Sequence, residues 1–160
     1  MASDIFAKIG TIQGESTDAK HANEIDVLSW SWGVTHGGSM AQSGGGGAGK
    51  ATFHDLNFTH DIDKATPMLL KACATGAHIP TATITVRKAG KGQQEYLIIK
   101  MTDVLITSVA LSVAEGAAST AEGVALQFAK VDLEYKPQKA DGSLDVGVHF
   151  KYDIKANKVG

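Results

Sequence analysis

Apolar and polar residues alternate along most of this chain, the period-2 signature of half-buried strands, and the places where the alternation slips are as informative as the pattern. Residues 4–9 read as a first short strand, and 10–23, with Gly10, Gly14 and a run of polar residues, as turns and a loop. In residues 24–34, Ile25 and Val27 share one phase, whereas Leu28, Trp30, Trp32 and Val34 share the other. The apolar face therefore switches between Val27 and Leu28, which predicts a bulge or bend. Trp30 and Trp32 are then expected inward with Leu28 and Val34, turning Ser29 and Ser31 to the opposite face. Residues 51–60 form the next predicted strand, and 81–88 another with Ala82, Ile84 and Val86 in phase. Residues 95–113 are too long for one flat strand and are expected to bend near Thr102 and Asp103. In 124–135 the apolar positions pass from even (Val124, Leu126, Phe128) to odd (Val131, Leu133, Tyr135). After an Asp141-Gly142 turn, Val146, Val148, Phe150, Tyr152 and Ile154 alternate cleanly in a closing strand.

One stretch breaks the β pattern. Met68, Leu69, Ala72 and Cys73 recur at helical spacing and predict a helix over about 65–75. Thr66 is the expected N-cap, Pro67 suits the first helical position, Asp61 and Asp63 complement the positive end of the dipole, and Gly76 stops the helix. Two to three turns are marginal alone in water, so this helix must dock on the strands. Eight or so strands, several bent, with one helix predict a mainly β fold of two antiparallel sheets curling into a barrel or tight sandwich. Residues 1–160 read as a single domain.

Residues 36–50 (HGGSMAQSGGGGAGK) are a flexible loop by composition, and loops of that length are usually functional or mobile. Net charge is −2 with scattered lysines and arginines, so no basic patch speaks for nucleic acid or anionic lipid. No segment reads as a signal peptide or a membrane span. The one cysteine, Cys73, has no internal partner, which suits folding in the cytoplasm; if the protein is secreted, it leaves without a cleaved signal.

Candidate chemistry thins out on inspection. Gly44, Gly49 and Lys50 have phosphate-loop spacing, but Ala51 replaces the magnesium-binding hydroxyl and the segment opens a strand instead of a helix. His54, Asp55, His60, Asp61 and Asp63 resemble a metal set, yet His54 and His60 on one extended strand would stand about 20 Å apart. Their expected roles are caps, turns and surface or partly buried histidines. Cys73 is near His78 but lies at a helix C-terminus, away from the positive end that would activate a thiol, so it reads as packed. Trp30 and Trp32 could stack a ligand, but their phase favours the core. No nucleophile elbow or acid pair stands out. The residues argue against an enzyme and predict no catalytic residue, metal or cofactor.

EIDVLSWSWG, GKATFHDLNFTHDIDKATPMLLKACATGAH, VRKAG and FAKVDLEYKPQ, in that order, closely resemble the Hcp (haemolysin-coregulated protein) family of bacterial type VI secretion. The opening DIFAKIGTIQGESTD and closing YDIKANK fit as well, so the likeness runs from Asp4 to Lys158. The resemblance implies a β-barrel of two sheets with a short flanking helix, assembled as a homohexameric ring. Stacked rings would form a tube inside a contractile sheath, expelled behind a spike protein and carrying effector proteins in its lumen. Within that picture Ser29 and Ser31 are expected to line the lumen. Ser43, Gly44, Gly45, Gly46, Gly47 and Ala48 are expected to contact the neighbouring ring. The competing expectation is a small β-barrel ligand-binding module without ring assembly.

Overall fold

The computed structural model describes residues 4–38, 50–88, 92–117 and 120–160. Its strands are β1 (Ile5–Ile9), β2 (Ile25–Asp26), β3 (Ser29–Ser31), β4 (Val34–His36), β5 (Ala51–Phe53) and β6 (Leu56–His60), followed by α1 (Thr66–Thr75). Then come β7 (His78–Arg87), β8 (Glu95–Ser112), β9 (Ala121–Tyr135), β10 (Val148–Asp153) and β11 (Lys158–Val159). Nine strands form one antiparallel sheet in the order β11-β10-β9-β8-β7-β1-β2, with β6 also paired to β9 and β3 paired to β6; β4 and β5 make a separate two-stranded sheet.

The long strands β8 and β9 carry the curl. Asp103 has φ +56°, and the β8–β9 ladder passes from Thr102↔Lys130 to Val104↔Phe128 over it. On the other side of β8, the ladder to β7 skips Pro80, whose missing N–H is tolerated opposite the irregularity. The bend falls where β9 changes phase, with Phe128 and Val131 both buried. Each long strand thus belongs at one end to the β7–β1 side and at the other to the β6–β3 side, and the core lies between.

The Val27–Leu28 phase switch is the second structural joint. Val27 N–H donates to Ile5 O and Leu28 N–H donates to Thr59 O, so the strand leaves β1 and joins β6 at that peptide. Among the described residues the ladders do not close into a hydrogen-bonded cylinder; the chain itself spans the gap at Val27 and Leu28. Leu28 sits on this crossing and is 58% exposed, and Val34 belongs to the β4–β5 hairpin and is 48% exposed, so neither shares the inward face expected for them with the tryptophans. The predicted strand over 51–60 is likewise two strands, split at His54 and Asp55. In consequence His54 is exposed, whereas His60 is fully buried. The closing strand starts only at Val148, and Val146 stays 82% exposed outside it.

Helix α1 begins one residue earlier than predicted, at the residue expected to cap it. Ala65 holds the cap position with helical backbone angles and no side-chain bond, and Thr66 is the first helical residue. Asp63 takes over the local capping, its Oδ1 accepting from Ala65 N–H at 2.8 Å, which frees the Thr66 hydroxyl for another partner. At the far end Gly76 adopts φ +64° and its turn satisfies the last carbonyls, the usual reason for glycine there. Leu69 and Ala72 are buried and Cys73 packs partly against the core, but Met68 is exposed. The docked stripe is narrower than the one read from spacing.

Candidate functional site

Directly opposed residues in an antiparallel ladder point to the same face. Ser29 therefore shares a face with Thr59, Gly123 and Ala110, and Ser31 shares it with Asn57, Ala125 and Ser108, each set running in register across β3, β6, β9 and β8. Ala121 and Ser112 continue the row. None of these ten residues carries a charge and none is larger than asparagine. Behind them Trp30, Phe58, Val124 and Val109 alternate into the core side. The hydroxyls of Ser29 and Thr59 hydrogen-bond to each other at 2.6 Å, and Asn57 Nδ2 donates to Asp55 O at 3.1 Å, so polar groups are satisfied along the sheet. At one margin Thr107 Oγ1 donates to Asp55.

Among the described residues this face has two unpaired edges. β3 pairs only with β6, and β8 loses its partner β7 beyond Leu105. Exposed apolar side chains flank both: Leu28 beside β3, and Leu111 and Val113 at the end of β8. The sequence pointed to Ser29 and Ser31 alone. Asn57, Thr59, Ser108, Ala110, Ser112, Ala121, Gly123 and Ala125 had a signal of the same kind, small residues in the phase opposite Leu56, Phe58, Val124 and Leu126. What was missing was the register that lines them up.

Of the other nominated residues, His60 comes within 3.7 Å of Asp63 at the start of α1, and the rest are scattered. Trp32 Nε1–H donates to His54 O, and its ring packs 5.9 Å from Phe128 and 6.2 Å from Phe53. Trp30 packs partly buried against the core, so both indoles serve the fold. Lys50 is exposed, immediately before β5, while Ser43, Gly44, Gly45, Gly46, Gly47, Ala48 and Gly49 lie outside the described residues. Among the described residues no three His, Cys, Asp or Glu side chains converge as a metal set.

Two polar clusters went unforeseen. Within residues 11–24, His21 stacks on Phe6 of β1 at 4.4 Å with its ring nitrogens on Glu24 and Glu95. The Arg87 guanidinium lies 4.7 Å from the Phe6 ring centre and donates to Asp18, a hydrogen bond that holds the Asp18 carboxyl well below the usual carboxylate range. Burial raises Asp26 nearby. The second cluster joins His60, Glu122, Asp63 and Thr66 at the start of α1.

Comparison with known proteins places this architecture. A family model described as "Type VI secretion system effector, Hcp" matches residues 6–135. Protein hcp1 of Pseudomonas aeruginosa is 52% identical over 159 residues, covering 98% of each chain. Among solved structures, a type six secretion system protein superposes with a TM-score of 0.90 at 28% identity over 98% of this chain and 99% of that one. Hcp1 from Salmonella typhimurium gives a TM-score of 0.78 at 40% identity over 99% of each chain. With a family match across most of its length and a relative more than half identical, the chain belongs to the Hcp family of type VI secretion proteins.

Proposed function

We propose that this chain is a structural subunit of a type VI secretion inner tube: six copies close into a ring whose channel is lined by the small neutral face, and rings stack into a tube that carries effector proteins. The observation that carries this reading is the face itself, four strands wide, uncharged, without bulky side chains, and open at both edges. An unpaired edge flanked by exposed apolar residues is an aggregation liability unless something covers it. A head-to-tail contact between the β3 edge of one copy and the β8 edge of the next covers both, and a heterologous contact of that kind closes into a ring when its rotation closes at six. Farther along β8 and β9, beyond the bend at Asp103, the outward residues differ in chemistry. Lys100, Asp132 and Lys151 stand side by side across β8, β9 and β10, a charged exterior suited to the contractile sheath.

In this reading a wall of hydroxyl, amide and methyl groups leaves room for a folded cargo and offers short-range polar contacts to it. The chain would be secreted with the tube, behind a spike protein, and its role would be carriage instead of catalysis. Replacing Ser31 with glutamine tests the channel assignment: rings should persist while an effector no longer co-purifies, and unchanged co-purification would remove Ser31 from the lumen. The stretch Ser43–Ala48 is proposed as a ring-stacking contact on its sequence alone; deleting it should impair tubes more than rings, and equal loss of both would count against that role.

A further inference from the structure

The start of α1 is held by a buried polar cluster that neither channel nor cargo uses. Glu122 of β9 and His60 of β6 are opposed in register and both are fully buried. His60 Nε2 stands 3.1 Å from Glu122 Oε2, within ion-pair distance though not aligned for a linear hydrogen bond, and His60 Nδ1 stands 3.7 Å from Asp63 Oδ2. The Thr66 hydroxyl donates to Glu122 Oε2 and accepts from Asp63 N–H, using both of its capacities. The second Glu122 oxygen has no hydrogen-bond partner among the described residues.

The charges facing the imidazole can be named from every side. β9 supplies Glu122 and the turn before α1 supplies Asp63; α1 supplies a neutral hydroxyl, β6 the Phe58 ring at 5.8 Å, and β8 places Leu111 opposite Glu122. No lysine or arginine among the described residues comes within ion-pair distance of Glu122 or Asp63. A carboxylate buried without a cation is very costly, and among the described residues the only cation this cluster offers Glu122 is protonated His60.

We propose that His60, Glu122, Asp63 and Thr66 form a proton-dependent latch that fastens the first turn of α1 to the β6–β9 ladder, closed while His60 carries its proton and released when the proton leaves. Burial, the largest single influence on His60, opposes the charged imidazole. The Asp63 and Glu122 carboxylates together outweigh it, so its pKa is raised from the ordinary 6.5. The latch is therefore fully engaged below pH 6.5 and weakens as pH climbs through the folded value. Glu122 also stands opposite Leu111 on the unpaired β8 edge, so release would loosen the ring contact; this consequence alone rests on the proposed ring.

Hydrogen–deuterium exchange of the full-length protein between pH 6 and 9, corrected for intrinsic exchange chemistry, tests the latch. Protection of residues 61–75 should fall by up to about tenfold per pH unit through the transition, while the middle of the β7–β8 ladder, Ala82, Thr83 and Ile84 against Met101, Lys100 and Ile99, holds no histidine and stays flat. Glu122→Gln, which keeps the shape and removes the charge, should abolish that pH dependence. Asp63→Asn, at a less buried site, should move the transition to lower pH and serves if the Gln variant does not fold. A pH-independent wild type, or a Glu122→Gln profile parallel to it, would overturn the latch. Light scattering on the same samples separates the two ideas, because absence of rings at every pH would sink the ring reading while leaving the exchange result to judge the latch.

Discussion

Leu28→Ser separates two physical roles for one residue. If Leu28 belonged to the core, as its phase with Trp30 suggests, truncating it would cost the subunit about 2–5 kcal/mol. It is instead 58% exposed beside the open β3 edge, so the folded subunit should be altered by only about 0.5 kcal/mol. Covering that exposed fraction in a ring contact is worth about 1–2 kcal/mol, scaled from the roughly 1.5–3 kcal/mol of a full side chain. A closed ring has six such contacts, which sums to about 5–10 kcal/mol per ring. Shared over five association steps, that moves the concentration at which half the chains are assembled upward by about 5–30-fold. A dilution series followed by light scattering reads this shift directly, and thermal unfolding of the dissociated protein reads the other role. A midpoint concentration that does not move, or a subunit melting many degrees lower, would refute the edge assignment.

Asp18 links residues 11–24 to the barrel through Arg87. Its carboxyl pKa is depressed in the fold, so its contribution is present above about pH 4 and is lost as pH falls through the folded value. Melting temperature should drop between pH 5 and 2 in the wild type and more gently in Asp18→Asn; parallel profiles would dissociate Asp18 from acid sensitivity. Leu69→Ala empties the fully buried contact of α1 and should cost about 2–5 kcal/mol, measured by urea unfolding, and a loss below 1 kcal/mol would mean the helix docks by other residues. Gly76→Ala meets no neighbouring atom but forces a left-handed φ of +64°, so about 1 kcal/mol is expected from strain alone.

Much of this architecture was legible because burial writes itself into alternation. The slips at Val27–Leu28 and near residues 128–131 marked real joints, and the bend at Asp103 was visible from strand length. What stayed hidden depends on partners distant in sequence. Leu28 and Val34 keep the phase of Trp30 and Trp32 but leave the core because their strands change neighbours, which periodicity cannot report. Thr66 has the chemistry of a cap, yet Asp63 caps locally and Glu122, 56 residues away, claims the hydroxyl. The two serines of β3 were found from one strand; the rest of their face needed the register of four.

The native mass of the purified chain by light scattering across a dilution series tests the central claim most directly. The ring account predicts a species of about 100 kDa, six times the 16.7 kDa subunit, giving way to monomer only on dilution. A 16.7 kDa species at every concentration would contradict it, leaving the two open edges of the small neutral face without the neighbour the account requires.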